Sequence, residues 1–193
     1  MIEKVRYLLP INRSLSGEGN RKTLSYLEKL NPDLKRIKFL SGTKVFDWKI
    51  PLEWNIKDSY IEHFSSKKKF AKLKSNNLHI VSYSMPVNFK MKLKDLKKKI
   101  FTYSKIKKAI PYVTSYYKKD WGFCMSELEK AKLPLGDYNV KINSSFKKGT
   151  MDMSHAIIKG KSRKEIMFSS YICHPSMANN ELSGPTLVTE IIN

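Results

Sequence analysis

IMFSSYICHPSMANNELSGPTLVTEII, residues 166–192, decides how this chain is read. Ile166 to Cys173 is almost continuously apolar, the pattern of a strand buried on both faces of a sheet. His174 follows at its carboxyl end, the edge where open α/β sheets gather ligand and catalytic groups. Pro175 cannot donate to a ladder, so the chain must leave the sheet there. Asn179, Asn180 and Glu181 form a short polar loop. Ser183-Gly184-Pro185 then opens a helix, since proline is tolerated in a first turn. The expected apolar face of that helix is Leu187, Val188, Ile191 and Ile192.

A neutral imidazole is a common metal ligand, and an oxygen six or seven residues later can reach the same ion. His174 and Glu181 fit that description. So does a histidine hydrogen-bonded at a strand end, and the residues alone leave both readings open.

Working outward, residues 2 to 9 read as a short helix stopped by Pro10. Leu24, Leu27 and Leu30 recur at helical spacing after a loop made by Ser16, Gly17, Gly19 and Asn20, and Asn31-Pro32 ends that helix. The loop lacks phosphate-loop spacing and reads as a plain helix start. Lys35 to Leu40 reads as a strand. SYIEHF and LHIVSYS read as further strands, and residues 126 to 133 as a short helix. YNVKI and MSHAIIKG read as a hairpin around FKKG. KMKLKDLKKKIFTYSKIKKAI, residues 90–110, reads as a basic amphipathic helix with Leu93, Leu96, Ile100 and Ile106 beneath its lysines. Trp48 and Trp54 read as core anchors, and the tyrosines of IPYVTSYYKKDWGFC as a hydrogen-bonded layer.

The 193 residues are 41% hydrophobic, enough to fill a core, and no apolar run is long enough for a membrane span. The N-terminus shows no signal-peptide pattern, so a cytoplasmic location is expected. Cys124 and Cys173 make neither a disulfide framework nor a CxxC pair and read as buried thiols. The formal net charge of +20 invites an anionic partner. The excess is nearly all lysine and runs from Lys4 to Lys164, which argues for composition bias and against nucleic acid. The second functional class it keeps open is a non-enzymatic basic module that binds RNA or an acidic polysaccharide.

Five stretches together resemble one family. SLSGEGNRKTLSYLEKL, SGTKVFDWKIPLEWNIKDSYIE, LHIVSYSMPV, IPYVTSYYKKDWGFC and ICHPSMANNELSGP look like the DUF4910 proteins, aminopeptidase-like relatives of the M28 zinc peptidases with a nested DUF2172 domain. The resemblance implies an α/β fold, a zinc-aminopeptidase-like α/β/α sheet with a smaller β-rich domain inserted. It implies residues 1–45 as an N-terminal helical segment, 46–145 as the insertion, and 146–193 as the start of the peptidase-like core. It also implies a metal-dependent hydrolase that takes zinc and a peptide or amide-containing small substrate, with room for a homo-oligomer. His174 matches the first ligand histidine. Where the family has a metal-bridging Asp-Asn pair before Ser-Gly, this chain has Asn180-Glu181. Asparagine therefore stands where the bridging aspartate belongs, and either Glu181 takes the carboxylate role or metal binding weakens. His63, His79 and His155 match no ligand motif. The family's remaining ligands lie on later strands, so the chain is expected to be an N-terminal piece of a longer protein, with apolar surface exposed on its last strand and helix.

Overall fold

The chain opens with Ile2–Leu8, a helix that Pro10 cannot continue, and Glu18–Leu30, which Asn31-Pro32 ends. The computed structural model describes residues 1–192. They divide into two compact units, one of residues 1–54 with the chain from 146 onward, the other of residues 55–145.

In the first unit Leu8, Leu27 and Leu182 form a buried cluster, with Val5, Ile11, Tyr26 and Leu34 packed against it. Lys35–Leu40 pairs antiparallel with Thr150–His155, Lys35 opposite His155 and Leu40 opposite Thr150. This corrects the expected hairpin, in which MSHAIIKG, residues 153–160, would return along YNVKI. Bonds around Gly149 redirect the chain. The Ser41 N–H donates to the Gly149 carbonyl at 2.9 Å, and the Thr150 N–H to Glu53 at 2.7 Å. Glu53 also grips Arg21 through both carboxylate oxygens, at 2.5 and 2.8 Å.

Residues 166–173 are not a strand here, contrary to expectation. Backbone N–H and C=O groups hold a strand only through neighbours, and among the described residues none flanks this segment. Residues 166–171 and the isoleucines earlier in the chain face solvent, Ile157, Ile158, Ile166 and Met167 being 82%, 68%, 85% and 86% exposed, while Ile172 and Cys173 are half-buried. The final helix, Ser183–Ile192, exposes apolar surface, as expected for it. Leu187 and Ile191 are exposed, whereas Pro185, Thr186 and Thr189 are buried. The threonines accept burial because each hydroxyl donates back along the helix, Thr186 to Leu182 at 2.6 Å and Thr189 to Pro185 at 2.7 Å.

The second unit is built on a four-stranded sheet ordered Lys69–Phe70, Glu53–His63, Asp137–Lys147, Val87–Lys92. Ile61 and His63 on one strand, with Tyr138, Val140 and Ile142 on another, bury one face. LHIVSYS is not a strand. One helical turn, Asn77–His79, precedes a loop in which Ile80 to Ser84 are all buried. With no exposed face there is no two-residue alternation, and isolated bonds to Gly122 and Val113 hold the segment instead. The basic amphipathic helix is absent too. Val87–Lys92 is a strand, Leu93–Leu96 a single turn, and Ile100–Phe101 a short strand parallel to Phe123–Cys124. Leu93, Leu96 and Ile100 are buried while Ile106 is 58% exposed, so the apolar residues never form one stripe. Several lysines lie instead over aromatic rings, as Lys90 does at 3.8 Å from the Phe64 centroid. Trp54 is buried as expected, and the Tyr112 and Tyr116 hydroxyls contact each other. Among the described residues no helix is long and apolar enough to cross a membrane.

Candidate metal centre

The chain leaves its extended segment at Cys173-His174-Pro175 and turns sharply, with Ser176 in the left-handed region at φ 51°. A π-helical turn, Ala178–Leu182, follows, its Leu182 N–H reaching back five residues to the Met177 carbonyl at 3.1 Å. Such wide turns recur at functional sites because the extra residue re-aims a side chain. Here the side chain is Glu181, 1% exposed and directed back at His174. One carboxylate oxygen accepts the His174 backbone N–H at 2.7 Å, and the other lies 3.0 Å from His174 Nδ1.

Cys173 completes the cluster. Its sulfur, an imidazole nitrogen of His174 and a carboxylate oxygen of Glu181 all lie within 4.8 Å of one another. Sequence reasoning proposed His174 and Glu181, which the structure brings together. It placed Asn180 beside them, but that side chain is exposed, and its carbonyl and amide oxygens face the Tyr171 hydroxyl at 3.2 and 3.5 Å. It read Cys173 only as a thiol to be buried, although a cysteine next to the histidine was a visible signal.

The second residue missed was Arg13, fully buried. Its Nε donates to the His174 carbonyl at 3.0 Å and Nη1 to the Leu8 carbonyl at 2.7 Å. Burial pushes its guanidinium down to about 10, opposed by the charges of Glu181 and Cys173. In a chain with five arginines against many lysines, Arg13, Arg21 and Arg36 each use the planar fork, so the scarcity of arginine was a signal worth following. Asn20 was also missed. It donates to the Ile172 carbonyl at 3.0 Å and closes two bonds with the Ser14 backbone at 2.7 and 3.1 Å.

The electrostatics separate two kinds of chemistry. Burial pushes the Cys173 thiol up to about 11, so at neutral pH it is a poor nucleophile without a cation. Burial also raises the Glu181 carboxyl above its ordinary range, against the His174 N–H and the charges of His174 and Arg13. Burial disfavours the ionised form of both groups, and a divalent cation favours it by competing with the proton. Two nitrogen or oxygen ligands about 2.0–2.1 Å from one tetrahedral zinc lie roughly 3.3 Å apart, close to the His174–Glu181 spacing. Sulfur, nitrogen and oxygen donors together suit zinc better than calcium or magnesium.

The raised carboxyl sets a pH dependence. Without metal the fold favours protonated Glu181, so its contribution to stability is complete below about pH 4.5 and declines as pH rises through the raised value. Glu181→Gln keeps an oxygen for the His174 N–H and cannot ionise. Urea unfolding of the metal-free variant is expected to show a flatter pH profile above that range and higher stability at neutral pH than the parent. A parent whose stability instead climbs through this window contradicts the assignment.

The profile of a domain of unknown function, DUF4910, matches residues 2–193. A Clostridium acetobutylicum protein named "Putative polysaccharide biosynthesis protein with aminopeptidase-like domain" is 44% identical over 188 residues, 97% of this chain and 43% of its own length. A crystal structure described as a "putative peptidase" from the same organism superposes with a TM-score of 0.94 at 44% identity, over 98% of this chain and 44% of that one. The chain thus spans less than half the length of these relatives.

Proposed function

The chain belongs to the DUF4910 family, and from that premise we propose that it supplies a zinc-binding part of a peptidase-like hydrolase. The observation that carries this reading is the convergence of Cys173, His174 and Glu181 around one point. The two relatives, one named for an aminopeptidase-like domain and the other described as a peptidase, support the reaction class. The finer layout follows from the same reading. Residues 1–54 and 146 onward belong to a zinc-aminopeptidase-like α/β/α core related to the M28 enzymes, with residues 55–145 as its insertion, DUF2172-like in type.

His174 and Glu181 are ligands, Cys173 is a third, and Asn180 steadies Tyr171, whose ring meets that of His174 edge-on at 5.7 Å. Zinc at this point supplies Lewis-acid polarisation of a peptide or amide carbonyl. The residues do the rest. Glu181, buried and bonded to the His174 N–H, would face the cation through its second carboxylate oxygen, and Arg13 holds the His174 backbone through its carbonyl. Cys173, His174 and Glu181 would supply sulfur, nitrogen and oxygen donors to that ion.

The test is zinc binding by the chain itself. Equilibrium dialysis followed by metal analysis should give one zinc per chain, and cobalt in its place should show a thiolate charge-transfer band from Cys173. No retained zinc, or a cobalt spectrum without sulfur, overturns the reading.

A further inference from the structure

Two side chains from the N-terminal segment take hold of the backbone on either side of Cys173. Asn20 binds the carbonyl of Ile172, the residue before it. Arg13 binds the carbonyl of His174, the residue after it. Arg13 lies on the loop before the Glu18–Leu30 helix and Asn20 in that helix's first turn, and loop and turn are tied together. The Ser14 N–H and carbonyl are both bonded to Asn20, and the Ser14 hydroxyl donates to the Ser16 carbonyl at 2.9 Å. At Gly19 a side chain is excluded, because a Cβ there would sit 1.9 Å from the Asn12 carbonyl oxygen. The loop is thereby pressed onto the start of the Glu18–Leu30 helix. Arg13 also binds the Leu8 carbonyl at the end of the first helix, so it spans two fixed points.

Between these grips the Cys173–His174 peptide has little freedom. The His174 N–H points at Glu181, and the direction of that N–H fixes how the carboxylate faces the ring. A plain helix start needs none of this. Neither a buried arginine nor a buried asparagine is required to begin Glu18–Leu30, and both are aimed at the carbonyls of the cluster instead.

We propose that Arg13 and Asn20 are positioning residues, a backbone clamp that sets the spacing of Cys173, His174 and Glu181. The clamp's importance for metal rests on the zinc reading above; its effect on the Cys173–His174 backbone does not. Outer-shell partners of this kind are commonly worth a factor of about 10–100 in metal affinity.

The experiment uses Arg13→Lys and Asn20→Ala, with Arg36→Lys as the control. The control loses a guanidinium that grips Glu28 at 2.9 and 2.7 Å, away from the cluster. Amide hydrogen exchange is followed by NMR in the metal-free proteins at His174 and, as a reporter of overall stability, at Leu27. The clamp predicts that His174 loses more protection than Leu27 in Arg13→Lys and Asn20→Ala, and that the two amides move together in Arg36→Lys. Zinc affinity should fall by about 10–100-fold in the first two variants and stay level in the third. If His174 and Leu27 move together in all three, the clamp is wrong. Should Arg13→Lys fail to fold, Asn20→Ala decides by the same comparison. If the parent binds no zinc, the metal reading falls while the exchange comparison still judges the clamp.

Discussion

Replacing His174 with alanine is expected to abolish zinc binding while leaving the chain folded. The imidazole is only partly buried and contributes nothing to the leucine cluster, so its loss opens little core. Its removal deletes the donor closest to Glu181 and leaves Cys173 and Glu181 to hold a cation alone. Burial raises both of those groups above their ordinary ranges, so a cation must compete with the proton at each of them. Equilibrium dialysis should then return the variant with zinc at background, against one per chain for the parent. Its far-ultraviolet circular dichroism should be unchanged. Undiminished zinc in the variant would place the metal elsewhere.

Leu182→Ala is expected to cost about 2–5 kcal/mol, the range for truncating a fully buried leucine. Leu182 is 0% exposed and closes the cluster with Leu8 and Leu27. A domain's whole stability is about 5–15 kcal/mol, so this one change removes a large share of it. Leu182 also follows Glu181 directly and donates the hydrogen bond that closes the π-helical turn. Loss of its anchor should loosen the turn that aims the carboxylate. Urea unfolding followed by circular dichroism should show the lower midpoint, and zinc affinity should drop alongside it. A midpoint shift under about 1 kcal/mol would mean that Leu182 is not the keystone described here.

The two helices at the N-terminus, the strand at Lys35–Leu40 and the short helix Glu127–Ala131 were legible because each is decided locally, by proline or by periodicity, while the Ser126–Glu129 capping box went unread. The failures share a cause. Residues 90–110 carry apolar spacing that fits a helix, yet Leu93, Leu96 and Ile100 are claimed by different neighbours. Residues 150–155 pair with a strand over a hundred positions away, which no local pattern announces. The final helix faces inward through Pro185, Thr186 and Thr189 because hydroxyls that satisfy themselves count as apolar, a bookkeeping invisible to a hydropathy pattern.

At the site, residue chemistry suggested His174 and Glu181, which the structure brings together although the strand expected before them is not formed. Cys173 was overlooked because a lone cysteine is most often just a small buried side chain. Arg13 and Asn20 were beyond reach, since their role depends on a contact across about 150–160 positions of sequence. Arg21 and Arg36, like Arg13, are each fixed by several hydrogen bonds, so the rarity of arginine in this lysine-rich chain proved the better guide.

The uncovered run that holds Ile157, Ile158, Ile166 and Met167 gives the molecule an ambivalent colloidal character. Such residues attract their like from one molecule to the next at short range. The formal charge of +20 repels the same molecules at longer range, and does so through about 10 Å of solution at 0.1 M salt but only about 3 Å at 1 M. Dispersion of this protein is therefore a property of the buffer as much as of the sequence: dilute electrolyte keeps the chains apart, and concentrated electrolyte lets their greasy strips meet.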